Sequence, residues 1–325
     1  QSALWRQGCL PRKKPPEMAW AIVFLVCLAA AAPFAVEALR KPMDENARRA
    51  APGKCADLPR GKTHYQWYGP DSGPVVVCIH GLTTPSFVWN SIAPALAAKG
   101  YRVLTYDHYG RGFSDRPRGP QDPAFFAQHL DALLDDQKVA GPVSLIGYSM
   151  GGAVAAAYAS EGARDLDQIV LLAPAGMKAV GVETLQRIVH FPVLGRWLML
   201  ARYPALLRRG LRAEAGHPST VPDINALQHG ELAFRGFVPA VHESLRGMLT
   251  DSFEAYHAEL RDTGVPVLAI WGESDDVIPL SAKDKLSAWN PTVTHQVIKN
   301  AGHGVTYSHT DEVLSHIFRF LKPAV

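Results

Sequence analysis

The sequence predicts an α/β fold: a mostly parallel sheet flanked by helices, with an inserted helical cap and, ahead of both, an N-terminal transmembrane helix. Three observations carry this. Short β-branched runs alternate with longer amphipathic stretches from about residue 61 onward, the pattern of parallel strands joined by crossover helices. Strand signals stop between Met177 and Arg261, where prolines punctuate helical stretches. Met18 to Val36 are nineteen residues without a charge, and as a helix they would span roughly 28 Å, close to a bilayer's hydrocarbon core.

Composition narrows the classes. Of 325 residues 47% are hydrophobic and 19% charged, enough apolar material for a large core and too little charge for a disordered chain. The net charge of +3 is uneven: residues 1–54 hold nine Lys/Arg against four Asp/Glu, which leaves the remainder at −2. A nucleic-acid partner is therefore not expected, since phosphate contacts need a concentrated positive face on the folded body. Cys9, Cys27, Cys55 and Cys78 show no metal-ligand spacing, so neither a zinc site nor a disulfide framework is expected.

Residues 1–17 read as a basic tail and 18–36 as a membrane anchor or a signal segment. The apolar stretch exceeds the usual signal core, which favours an uncleaved single-pass anchor; the alternative is secretion or a periplasmic location after cleavage at Ala29–Ala32. Positive charges lie on both sides of the span: Arg6, Arg12, Lys13 and Lys14 before it, Arg40, Lys41, Arg48, Arg49 and Lys54 after it. Orientation is thus left open, although initiation at Met18 would place the body on the cytoplasmic side. A linker is expected over 37–60.

The body then predicts strands at Thr63–Tyr68, Val75–His80, Arg102–Tyr106, Val143–Gly147, Gln168–Ala173, Val267–Trp271 and Thr294–Ile298. Helical patterns fall at Val88–Lys99, Pro123–Val139, Met150–Ser160, Ser281–Trp289 and Asp311–Leu321. Residues 61–176 and 262–325 form the expected core and 177–261 the cap, because a structureless loop of that length would be out of keeping with a compact domain. Such a cap would stand over the carboxyl ends of the strands, where open parallel sheets hold their ligands.

Chemistry concentrates at those ends. Gly147-Tyr148-Ser149-Met150-Gly151-Gly152 lies between a strand and a helix, so Ser149 sits on a sharp turn whose flanks have no room for side chains. A serine hydroxyl needs a base to take its proton and a carboxylate to orient that base. The run after Trp271, Gly272-Glu273-Ser274-Asp275-Asp276-Val277-Ile278-Pro279, offers the acid, and Asn300-Ala301-Gly302-His303-Gly304 offers the base.

With His80-Gly81 and the Asp107–Ser114 run (DHYGRGFS), these motifs in this order resemble the α/β-hydrolases of the lipase, esterase and monoacylglycerol-lipase-like branch, over about Thr63 to Leu321. The resemblance implies Ser149 as nucleophile, His303 as base and Asp275 as acid, with Asp276 as the fallback. It implies an oxyanion hole from the backbone N–H groups of Leu82 and Met150, and substrate contacts from His80, Gly81 and Tyr148; His80 also reads as a turn-stabilising histidine, Tyr148 as a packing residue, and Arg111 as bonding carbonyls in a structural turn after the third strand. No metal or organic cofactor is required by such chemistry.

The expected function is hydrolysis of carboxylic esters, lipophilic and short to medium in acyl length or monoacylglycerol-like, through an acyl-enzyme. Related chemistry on the same scaffold stays open, namely C–C bond hydrolysis, lactone hydrolysis or cofactor-free haloperoxidation. So does a membrane-tethered binding protein with an inactive site. Within the cap, Thr184–Ala213 carries six arginines without an acidic residue, interleaved with Trp197, Leu198, Met199 and Leu200. This basic amphipathic stretch reads either as a lid over the site or as a surface that meets lipid, and both hold if the lid opens onto the membrane.

Overall fold

The structure, a computed structural model, describes residues 17–162, 164–177, 191–249 and 252–324. The expectations for the basic tail and for the start of the cap, including Arg187, lie outside the described residues.

Helix α1 runs Glu17–Ala38, and its Met18–Ala38 stretch is long and apolar enough to cross a membrane, with none of its apolar window buried. A membrane anchor and a signal sequence both fit such a helix. A short helix α2, Glu45–Arg48, follows, its first turn capped by Asp44, whose carboxylate accepts from the Ala47 N–H at 3.0 Å.

The sheet comprises β1 (Lys54–Leu58), β2 (Gly61–Tyr68), β3 (Val75–Ile79), β4 (Arg102–Tyr106), β5 (Val143–Tyr148), β6 (Leu166–Leu172), β7 (Val267–Gly272) and β8 (Thr294–Ile298). Their spatial order is β1-β2-β4-β3-β5-β6-β7-β8, with β1 and β2 antiparallel at one edge and the rest parallel. Strand β1 corrects the expected linker: the chain folds back before residue 60 and pairs with β2. Its only buried residue is Ala56, so this edge strand lacks the apolar alternation that marks strands in a sequence.

The central strands are buried on both faces. In β3, Val75, Val77 and Ile79 face one apolar cluster while Val76 and Cys78 face another, the period of two expected of a pleated strand. On the first face lie α4 (Pro123–Asp136), α5 (Met150–Ser160) and α10 (Ser281–Trp289); on the second, α3 (Ile92–Ala97) and α12 (Thr310–Phe320). A four-residue helix α11, Val305–Ser308, leads into α12. The helix expected over Val88–Lys99 is broken into a 3-10 turn, Ser86–Trp89, and α3. Pro94 has no N–H to donate to Asn90, so a continuous helix cannot pass that point, whereas the first turn of a new helix accepts it.

Between β6 and β7 come α6 (Pro192–Ala213), α7 (Ile224–Glu231), α8 (Phe237–Arg246) and α9 (Glu254–Thr263). Met199 and Leu200 of α6 pack with Leu232, Phe237, Val238 and Val241 in a separate apolar cluster, and Leu82 reaches its edge. Helix α9 was expected within the cap. It packs on α5 instead, with Phe253 and Leu260 buried in the main core.

Candidate active site

Three loops at the carboxyl ends of β5, β7 and β8 converge. Ser149 has φ 54° and ψ −118°, a left-handed conformation that costs a non-glycine residue about 1–3 kcal/mol. Its backbone is held there: the N–H donates to Leu172 O at 2.9 Å, and its carbonyl accepts from Gly152 and Ala175 N–H at 2.9 and 3.0 Å. The flanking glycines are sterically required. A Cβ on Gly147 would stand 2.3 Å from Gly151 O, and one on Gly151 would stand 2.0 Å from Ile79 O.

The Ser149 hydroxyl lies 2.9 Å from His303 Nε2, and His303 Nδ1 lies 2.8 Å from Asp275 Oδ2. With a carboxylate on Nδ1, the Nδ1–H tautomer is the one that fits, which leaves Nε2 free to accept the hydroxyl proton. The other Asp275 oxygen accepts from the Val277 and Ile278 N–H groups at 2.9 and 2.7 Å, fixing the carboxylate. Asp276 is exposed and makes no such contact with the imidazole. The β7 and β8 loops are joined by Ser274 N–H to Ala301 O at 2.9 Å and Glu273 N–H to Ile298 O at 3.0 Å. Gly272 permits that approach, since a Cβ there would meet Ala301 O at 2.5 Å. Two other histidines near the C-terminal strand are engaged elsewhere: His295 with Trp271 and Ser287, His309 with Ser308.

Met150 opens α5, so its N–H has no partner within the helix. Gly81 sits directly against the serine, a Cβ there meeting Ser149 Cβ at 3.3 Å, and the turn it begins carries the Leu82 N–H. His80 had been expected to touch substrate, and here the structure differs. Its ring is fully buried and both nitrogens are spent: Nδ1 donates to Gly81 O at 2.7 Å, and Nε2 accepts from His108 N–H at 2.9 Å. Burial lowers its pKa to about 4, consistent with a neutral ring that donates on one side and accepts on the other. Because a trans peptide points its N–H opposite its C=O, a bond on Gly81 O fixes the direction of the Leu82 N–H.

Arg111 supports the next peptide. Its fully buried guanidinium donates to Leu82 O at 3.1 Å, Tyr109 O at 3.1 Å, Gln121 Oε1 at 2.6 Å and Ser244 Oγ at 2.7 Å. The loop bearing Arg111 is anchored by Asp107, which accepts from Ser86 and Phe113 N–H groups and pairs with His64. Burial pushes the Asp107 carboxyl up, but the charge and hydrogen bond of His64 overrule it and hold the group well below the usual range.

Tyr148, also expected at the substrate, is buried behind His303. Its hydroxyl donates to His303 O at 3.1 Å, and the two rings are 5.4 Å apart. That bond holds the main chain of His303. The spacing of residues in the sequence carries no signal for this contact, nor for the Arg111 bridge to Ser244 across 133 positions. Among the described residues no group of three or more His, Cys, Asp or Glu side chains is placed to hold a metal ion. Cys78 is a buried thiol whose pKa burial raises far above the ordinary value.

A nucleophile on a strand-to-helix turn, and an imidazole and a carboxylate on two later strand ends, are features of the α/β hydrolases. A family model described as the α/β hydrolase fold matches residues 74–310, and the chain belongs to that family. It is 25% identical over 264 residues to pimeloyl-[acyl-carrier protein] methyl ester esterase of Aliivibrio salmonicida, covering 80% of this chain and 97% of that one. It is 27% identical over 245 residues to 2-hydroxymuconate semialdehyde hydrolase of a Pseudomonas species, covering 73% and 81%. A bromoperoxidase structure from Bacillus anthracis shares the fold, with a TM-score of 0.69 at 22% identity over 83% of this chain and 99% of that one.

Proposed function

We propose that the chain is a serine hydrolase acting on carboxylic esters, with Ser149, His303 and Asp275 as its catalytic triad. The observation that supports this most is the unbroken run of hydrogen bonds from the Ser149 hydroxyl through His303 to Asp275. Ser149 Oγ attacks the acyl carbon while His303 Nε2 takes its proton. The oxygen that gains charge is received by the Leu82 and Met150 N–H groups. His303 returns the proton to the departing alcohol, and the acyl-enzyme forms. Water then attacks the acyl carbon, again giving a proton to His303, which passes it to Ser149 as the carboxylic acid leaves. Asp275 holds the imidazole and stabilises its charged form.

Lipophilic substrates follow from the surroundings. The apolar cluster of Met199, Leu200, Phe237 and Val241 touches Leu82 beside the serine, and a site walled this way takes acyl chains in preference to charged groups. Helix α1 acts as a retained anchor in this reading. It continues unbroken through the alanine run, and Trp197 Nε1 of the cap donates to Ala30 O at 2.9 Å, a contact that cleavage at Ala29–Ala32 would remove.

The likeness to 2-hydroxymuconate semialdehyde hydrolase favours a second reading, cleavage of a C–C bond at an acyl carbon by the same residues. A panel of para-nitrophenyl esters and monoacylglycerols, run beside a dienone substrate, separates the two. Turnover of esters with little of the dienone supports the first; preference for the dienone overturns it.

A further inference from the structure

The cap is fastened to the apolar helix and the residues just after it at three places. Trp197 bonds to Ala30 as described. The Glu37 carboxylate accepts from Gly236 N–H at 2.6 Å and pairs with Arg40 at 3.2 Å. Lys41 exchanges main-chain hydrogen bonds with Ala233 and Arg235 at 3.1 and 2.8 Å, a strand-like bridge beside Phe234. Helix α6 and the end of α1 therefore hold a fixed relation.

That relation sets a depth. Ala30 precedes Ala38, the end of α1, by eight residues, which is about 12 Å along the helix axis. The start of α6 is thus level with the apolar part of α1 and not with its polar end. A turn in water at that level would carry polar side chains. Here Phe191, Val193 and Leu194 are 60%, 77% and 53% exposed. Arg196 lies close enough to Glu37 to interact with its charge, so its long stem can carry the guanidinium back toward the polar end. Farther along α6, Arg202, Arg208, Arg209 and Arg212 are exposed, and no acidic residue occurs from Thr184 to Ala213.

We propose that the start of α6, from its N-cap Phe191 to Trp197, is embedded in the leaflet of the bilayer that α1 crosses, with acyl chains against its apolar face and anionic headgroups against the arginines behind it. The inference rests on α1 being a retained anchor. Just beyond Trp197, Met199 and Leu200 join the cluster that reaches Leu82, so an ester dissolved in that leaflet has a short apolar path to the serine.

The test uses the full chain in nanodiscs of phosphatidylcholine and phosphatidylglycerol, with Cys9, Cys27 and Cys55 changed to Ser. An environment-sensitive fluorophore is placed on Val193→Cys or, as an exposed control, on Glu259→Cys. The expected result is blue-shifted emission at 193, several-fold stronger quenching by acyl-chain spin-labelled lipid than at 259, and protection from aqueous iodide. Equal iodide quenching at both positions, in a chain that stays with the discs, overturns the embedding and leaves the anchor standing. A chain that separates from the discs overturns the anchor and the embedding together. Neither result bears on whether Ser149 is a nucleophile.

Discussion

Nδ1 of His80 donates to the main-chain oxygen of Gly81 at 2.7 Å, and through the planarity of the peptide that bond aims the Leu82 N–H. His80→Phe keeps the ring's bulk and removes the bond. With the loss of an oxyanion donor costing about 10²–10³ in kcat, and Met150 still in place, kcat on a water-soluble ester is expected to fall by about tenfold or more, with KM little changed. Steady-state kinetics on the folded variant check this. A kcat within twofold of the parent, on the scale of about 0.4 kcal/mol, removes the positioning role of His80.

Arg111 joins the Leu82 carbonyl to Ser244 and Gln121 with no carboxylate among these partners. Arg111→Met leaves several buried acceptors without donors, each costing about 1–3 kcal/mol. Urea unfolding is expected to report a loss of roughly 3 kcal/mol, accompanied by lower kcat/KM in the folded fraction. Arg111→Lys, which brings one point charge in place of a planar fork, recovers only part of either.

Two glycine substitutions are expected to move in opposite directions. Gly151→Ala puts a methyl group 2.0 Å from Ile79 O, against backbone that cannot yield, so the turn at Ser149 is displaced and activity is lost. Gly210→Ala, in the exposed part of α6, meets nothing within 4 Å and is expected to stabilise its helix by about 1 kcal/mol. Thermal unfolding of the pair, read beside ester turnover, distinguishes the steric requirement from a general dislike of substitution.

Glu231, at the end of α7, accepts from the Gly112 N–H at 2.9 Å. Burial pushes its pKa up to about 7, from an ordinary value of 4.5, with Arg116 opposing. A raised carboxyl holds its proton more tightly in the folded state, so its contribution to stability falls as pH rises from about 4.5 to about 7 and is level above. Glu231→Gln removes this dependence. The stability of the variant relative to the parent is expected to rise by about 3 kcal/mol across that window, measured by denaturant titration at several pH values. A parallel pair of curves contradicts the assignment.

Much of the scaffold was legible because its central strands are buried on both faces and its turns need glycine. The runs Arg102–Tyr106 and Thr294–Ile298 and the helices Met150–Ser160 and Ser281–Trp289 have the boundaries that apolar periodicity and turn residues predict. The positions of Ser149, Asp275 and His303 were legible for a related reason: each follows a strand at the same end of a parallel sheet, so chain order alone brings them together. Strand β1 was not, because an exposed edge strand with one inward residue has no periodic signature. Neither were the particular partners of His80, Arg111 and Tyr148, whose hydrogen bonds go to backbone oxygens or to residues far along the chain. Local sequence records that such a residue is present but not which atom it faces.

The central claim is that the Ser149 hydroxyl is activated by His303, and covalent trapping measures it most directly. A fluorophosphonate incubated with the folded full chain, followed by peptide mass spectrometry, is expected to modify Ser149, and His303→Gln is expected to slow that modification by orders of magnitude without loss of fold. Absence of adduct on Ser149 in folded protein, or undiminished labelling in His303→Gln, contradicts the account and leaves a membrane-tethered binding protein on a hydrolase scaffold.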